Sequence, residues 1–66
     1  MITVEQVRER VAEIERIKGD DEAAHSREDK LHMDVLRAIA KGAPDAPLLA
    51  KAAIKTDAID FARWCA

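Results

Sequence analysis

Apolar residues recur along this chain at steps of three and four, and no stretch alternates with a period of two. Val4, Val7, Val11, Ile14 and Ile17 make one such stripe, while Glu5, Arg8, Glu9, Arg10, Glu13, Glu15 and Arg16 occupy the other faces. That is the pattern of an amphipathic helix over about residues 3–18. Two signals mark its start. Thr3-Val4-Glu5-Gln6 has the form of a capping box, and Ile2 and Val7 fall where a hydrophobic staple sits. Pairs three apart, Glu5–Arg8, Arg10–Glu13 and Glu13–Arg16, can meet on the solvent side. Gly19 follows Lys18 where a left-handed cap is expected.

A second helix is predicted over about residues 21–41. Asp20, Asp21 and Glu22 place negative charge at its start, where unpaired amides and the helix dipole favour it. Ser26 with Asp29 offers a rival capping box, but Ala23 and Ala24 are strong helix formers and favour the longer helix. Leu31, Val35, Leu36, Ala38 and Ile39 form its expected buried stripe, and Gly42 its stop. The short connection predicts an antiparallel hairpin of the first two helices. Residues 42–46 then form the one breaker-rich linker. Asp45 is the expected cap of a helical region over 47–65, with Pro47 in its first turn. Leu48, Leu49, Ala52 and Ala53 are its inner side, with Ile54 a further candidate. Thr56-Asp57 offers a cap for a short last helix carrying Ile59, Phe61, Trp64 and Cys65, although one bent helix fits the same pattern. The predicted fold is therefore all-α, a single small domain: a two-helix hairpin with one or two short C-terminal helices packed across it.

Composition narrows the class. The chain has 66 residues, 13 acidic and 11 basic side chains, a formal net charge of −2, one Phe and one Trp. Its one cysteine excludes an internal disulfide, and no apolar run approaches the length of a membrane span. No basic segment leads into an apolar one at the start, so no secretory signal is expected. Below about 70–80 residues a single core seldom supplies more than about 3–5 kcal/mol. With disulfides excluded, regular helix packing, a metal or a second copy has to help, and a homodimer or larger assembly is expected.

The segment from Asp20 to His32 holds the candidate chemistry. On a helix His25, Asp29 and His32 lie at i, i+4 and i+7 on one face, with Asp21 extending it and Glu28 at its border. This arrangement offers nitrogen and oxygen ligands to a divalent metal. The two histidines are about 10 Å apart along the axis, so His25–Asp29 or Asp29–His32 is the half-site and a second helix or subunit has to complete it. Against a metal, Arg27 and Lys30 can pair with the same acids, and a mixed-charge helix surface is the ordinary reading. Catalytic residues are not expected. Cys65 stands near a helix C-terminus, which disfavours its thiolate, and the phosphate-binding glycine motifs and G-x-S-x-G are absent. Nucleic-acid binding is disfavoured too, since Lys51, Lys55 and Arg63 are offset by Asp57 and Asp60. Phe61 and Trp64, three apart, either close the hairpin core or anchor an interface.

The run Asp20-Asp21-Glu22-x-Ala24-His25-x-x-Glu28-Asp29-x-Leu31, then Val35-Leu36-x-Ala38-Ile39-Ala40 and Asp60-Phe61-Ala62-Arg63-Trp64, resembles small uncharacterised helical proteins of actinobacteria and their bacteriophages. The resemblance implies a cytoplasmic setting in a bacterium or phage-infected cell. It directs attention to His25, Glu28 and Asp29 and to Phe61 and Trp64, and transfers no catalytic residue. The expected function is a non-enzymatic accessory protein that binds an unidentified protein partner and modulates a host process. A metal-binding protein using His25, Asp29 and His32 is the alternative, and a DNA-binding regulator the third reading.

Overall fold

The computed structural model describes residues 1–63, which fold as three α-helices and a short 3₁₀ turn with no strand. The helices are α1 (Val4–Arg16), α2 (Asp21–Ala40) and α3 (Ala46–Ile54), and the 3₁₀ turn is Lys55–Ala58. No helix among the described residues is long and apolar enough to cross a membrane.

The capping box forms as the sequence predicts. Thr3 Oγ1 accepts from the Gln6 amide at 3.1 Å, and the Thr3 amide donates to Gln6 Oε1 at 2.9 Å. Asp20, not Ser26, caps α2, its carboxylate accepting from the Ala23 amide at 3.1 Å. At the other end of α2 the Ala43 amide donates to the Ala38 carbonyl and the Gly42 amide to the Ile39 carbonyl. These are the two bonds of a Schellman motif, and Gly42 has the positive φ of 89° that the motif requires. Gly19 differs from expectation and is not left-handed. The end of α1 is satisfied by turn bonds, Lys18 to Glu15 and Asp20 to Ile17, so no inverted residue is needed. Asp45 holds the N-cap position of α3 but makes no side-chain cap bond. Its ψ of 27° lies outside the extended region, and Pro47 removes one of the two amides a cap could engage.

The core takes Val7 and Ile14 from α1, Ala24, Leu31, Val35 and Ala38 from α2, and Leu49, Ala52 and Ala53 from α3, with Ala43, Ile59 and Phe61. Ile2, Val4, Val11, Ile17 and Ile39 pack at its edge. Each helix contacts the other two. Arg10 is drawn away from Glu13 and pairs across to Asp34 at 2.8 Å, while Arg16 takes Glu13 at 2.6 Å. The Arg10 hydrogen bond holds the Asp34 carboxyl below its usual range against the effect of burial, aided by the charges of Lys30, Arg10 and Arg37.

Two expected core residues face out. Leu36 is 58% and Leu48 59% exposed, and Ile54 is 67% exposed. Stripes spread over several leucines in sequence are wider than the faces the three helices bury.

The predicted last helix does not form through residue 63. Helical structure ends at Ala58, and Ile59 is extended with φ −80° and ψ 124°. Ile59 and Phe61 are both buried and Asp60 between them is exposed, a two-residue alternation that a helix cannot provide. The expectations for Trp64 and Cys65 lie outside the described residues.

The two glycines should therefore separate in thermal or urea denaturation. Gly42→Ala forces a left-handed alanine and is expected to cost about 1–2 kcal/mol. Gly19→Ala meets open space at an ordinary φ and should leave stability unchanged or raise it by up to about 1 kcal/mol.

Candidate functional site

Glu28 occupies the inward register of α2, in the series Ala24, Glu28, Leu31, Val35 and Ala38, and is 5% exposed. A carboxylate at such a place needs a cation or proton. Arg63 supplies the cation from the far end of the described chain. Its Nε donates to Glu28 Oε1 at 2.8 Å and its Nη2 to Oε2 at 2.9 Å, a bidentate pair. The same guanidinium donates to the carbonyls of Thr56 at 2.8 Å, Ile59 at 3.1 Å and Phe61 at 3.4 Å, and lies 3.9 Å from the centroid of the Phe61 ring. Arg63 thus ties α2, the 3₁₀ turn and the segment that follows it together. The Ala62 amide adds a bond to Asp21 Oδ1 at 3.2 Å. The Arg63 bonds hold the Glu28 carboxyl below its ordinary range, burial opposes them, and Thr56 and the charges of Arg63 and His32 add to the lowering.

Beside this pair His32 Nε2 stands 2.9 Å from Thr56 Oγ1, and the Thr56 hydroxyl donates to the Ala53 carbonyl at 3.2 Å. The Thr56 hydroxyl has one proton, and the His32 tautomer sets whether Nε2 donates or accepts in this contact. Thr56, His32 and Glu28 resemble a nucleophile–base–acid series by residue type, but the geometry differs. Thr56 is 1% exposed, and both oxygens of Glu28 are committed to Arg63 and not to the His32 ring. This cluster braces the fold and presents no activated nucleophile.

The sequence-predicted face is split by these partners. His25 Nε2 lies 3.5 Å from Asp29 Oδ2, with the histidine mostly covered and the aspartate exposed. His32, one turn further, turns to Thr56. The structure brings together His25 with Asp29, and Glu28 with the Phe61–Arg63 segment, but not His25 with His32. Among the described residues no group of three or more His, Cys, Asp or Glu side chains is placed to hold a metal ion. A metal at His25 and Asp29 needs donors from elsewhere. Arg63 and Thr56 were not legible as site residues. The available signal was Glu28 itself, an acid in the inward register that demands a partner.

Above the Glu28–Arg63 pair an open groove of about 590 Å³ runs between α2 and α3. Val35, Ile39 and Ala53 form its floor, Leu36, Ala50 and Ile54 its sides, and His32, Thr56, Asp57 and Arg63 its polar end. A groove of about 500 Å³ elsewhere, between α1 and the C-terminal half of α2, is lined largely by Glu9, Arg10, Asp34, Arg37 and Lys41. Arg10 and Arg37 there both pair with Asp34.

No protein-family model, curated protein or solved structure significantly matches the chain.

The pair has a signed pH consequence. Glu28 titrates below its unfolded value, so its stabilisation is present above about pH 4.5 and is lost as pH falls through the lowered value. In Arg63→Ala, burial without the cation raises the carboxyl instead, and stability should fall as pH rises through that raised value. The expected loss at neutral pH is about 2–4 kcal/mol, reduced from the fully buried case because Arg63 is partly exposed. Urea denaturation across pH 3–7 reads both slopes, and Glu28→Gln should flatten the acid limb of the wild-type profile.

Proposed function

We propose that this protein is a non-enzymatic accessory protein that acts by binding a protein partner through the α2–α3 groove. One observation carries the reading: Leu36 and Ile54, 58% and 67% exposed, stand on opposite sides of a groove with an apolar floor. Contiguous exposed apolar surface on a small domain marks an interaction site. A trough between two helices suits a third helix, whose apolar side chains enter at steps of three and four. The polar end favours the same class of occupant. Glu28 and Arg63 neutralise each other, which leaves Asp57 to favour a cationic side chain at the mouth. The frame in this reading is an antiparallel α1–α2 hairpin crossed by α3. The pairs Arg10–Asp34 and Glu13–Arg27 step forward along α1 and back along α2, which supports it. The resemblance to actinobacterial and phage proteins favours a cytoplasmic setting.

Photo-crosslinking residues placed singly at Leu36 and Ile54 test the surface, with exposed Glu5 on α1 as control. In producing cells, adducts above the monomer mass should form from positions 36 and 54 and not from position 5. Loss of the Leu36 adduct on adding Ile54→Lys is also expected. No adduct at either groove position, or equal adducts at Glu5, overturns the reading.

A further inference from the structure

We infer that the groove is occupied by α3 of a second copy of this chain, in a two-fold pair centred on Ile54. The inference rests on the groove being the working surface. Its argument is charge register. Lys51, Ile54 and Asp57 follow one another at three-residue steps and all three are exposed. They share one stripe, because α3 passes into the 3₁₀ turn without a break; Ile54 and Lys55 are both right-handed helical. When two such stripes lie antiparallel about Ile54, the residue three before it faces the residue three after it. Lys51 then meets Asp57 of the partner subunit, and the two-fold axis repeats the pair. Two opposite-charge contacts thus flank one apolar contact. A parallel arrangement sets Lys51 against Lys51 and Asp57 against Asp57, which is repulsive, so the charges select one orientation.

The same patch supplies both knob and hole. Ile54 of the partner subunit enters between Leu36 and Ile54, over Val35, Ile39 and Ala53. Asp57 lines the polar end, so its charge lies where Lys51 of the partner subunit arrives. Any other occupant has to bring an apolar anchor and a cation at a matching offset. A second copy carries both, and is present wherever the first is.

Sedimentation equilibrium on the full chain tests this, from low to high micromolar concentration at low and moderate salt. The wild type is compared with Lys51→Asp, Asp57→Lys, the double reversal and Ile54→Lys, with circular dichroism confirming that each variant is folded. The wild type should reach dimer mass, more readily at low salt. Each single reversal should raise Kd about tenfold or more, and the double should return to within about threefold of wild type, the signature of a direct pair. Ile54→Lys should be a folded monomer. A monomeric wild type at high micromolar concentration overturns the second copy. If crosslinks at Leu36 and Ile54 then capture a different protein, the groove reading stands without it. A dimer insensitive to all four variants, or a double reversal no tighter than the singles, also overturns the inference.

Discussion

The tertiary structure turns on the bidentate contact between Glu28 and Arg63. Glu28 stands on the face of α2 that enters the core, where water cannot solvate its charge. Its cation comes from 35 residues further along the chain. Reaching it requires the segment after the 3₁₀ turn to leave helical geometry at Ile59 and return to α2. That path places Ile59 and Phe61 together over the open side of the core. The guanidinium then binds back to the Thr56 carbonyl of the 3₁₀ turn and to the Ile59 and Phe61 carbonyls after it, which satisfies backbone groups that a continuing helix would have paired internally. One ion pair thus sets where the chain ends its helices, how the core is closed, and what forms the polar end of the groove.

The rest of the fold is built for close approach of short helices. Ala24, Ala38, Ala43, Ala52 and Ala53 make up much of the buried set, with Leu31, Leu49, Ile14 and Val7 filling the space between. Small side chains let helix axes come near, but they bury little area, and area buried is the main source of stabilisation. Local devices compensate by lowering the freedom of the ends of α1 and α2: the capping box at Thr3, the aspartate cap at Asp20 and the Schellman motif at Gly42. The apolar residues that the small core cannot hold, Leu36 and Ile54 above all, are left together on one face.

Features that depend on near neighbours were legible in the sequence. The caps at Thr3 and Asp20, the stop at Gly42 and the inward positions Val7, Ile14, Leu31, Val35, Leu49, Ala52 and Ala53 follow from three- and four-residue periodicity and from the valence of backbone amides at helix ends. Where a local competitor existed, sequence was less decisive. Gly19 has the residue type of a left-handed cap, yet turn bonds closed that end first. Asp45 has the residue type of a cap, yet Pro47 and its own ψ withheld the bond. Of the candidate site, the His25–Asp29 contact was legible as an i, i+4 pair, whereas the separation of His32 toward Thr56 was not.

By itself, then, the sequence determined α1 and α2 with their ends, the start of α3 and most of the inward faces, because those properties are settled within one or two helical turns. Only the tertiary structure decided that Leu36, Leu48 and Ile54 stay outside, since burial depends on how wide a face the neighbouring helices cover. It also decided that residues 59–63 leave helical geometry. The reason is again Glu28: a buried carboxylate creates a demand at one point in space, and no local pattern says which distant cation will meet it.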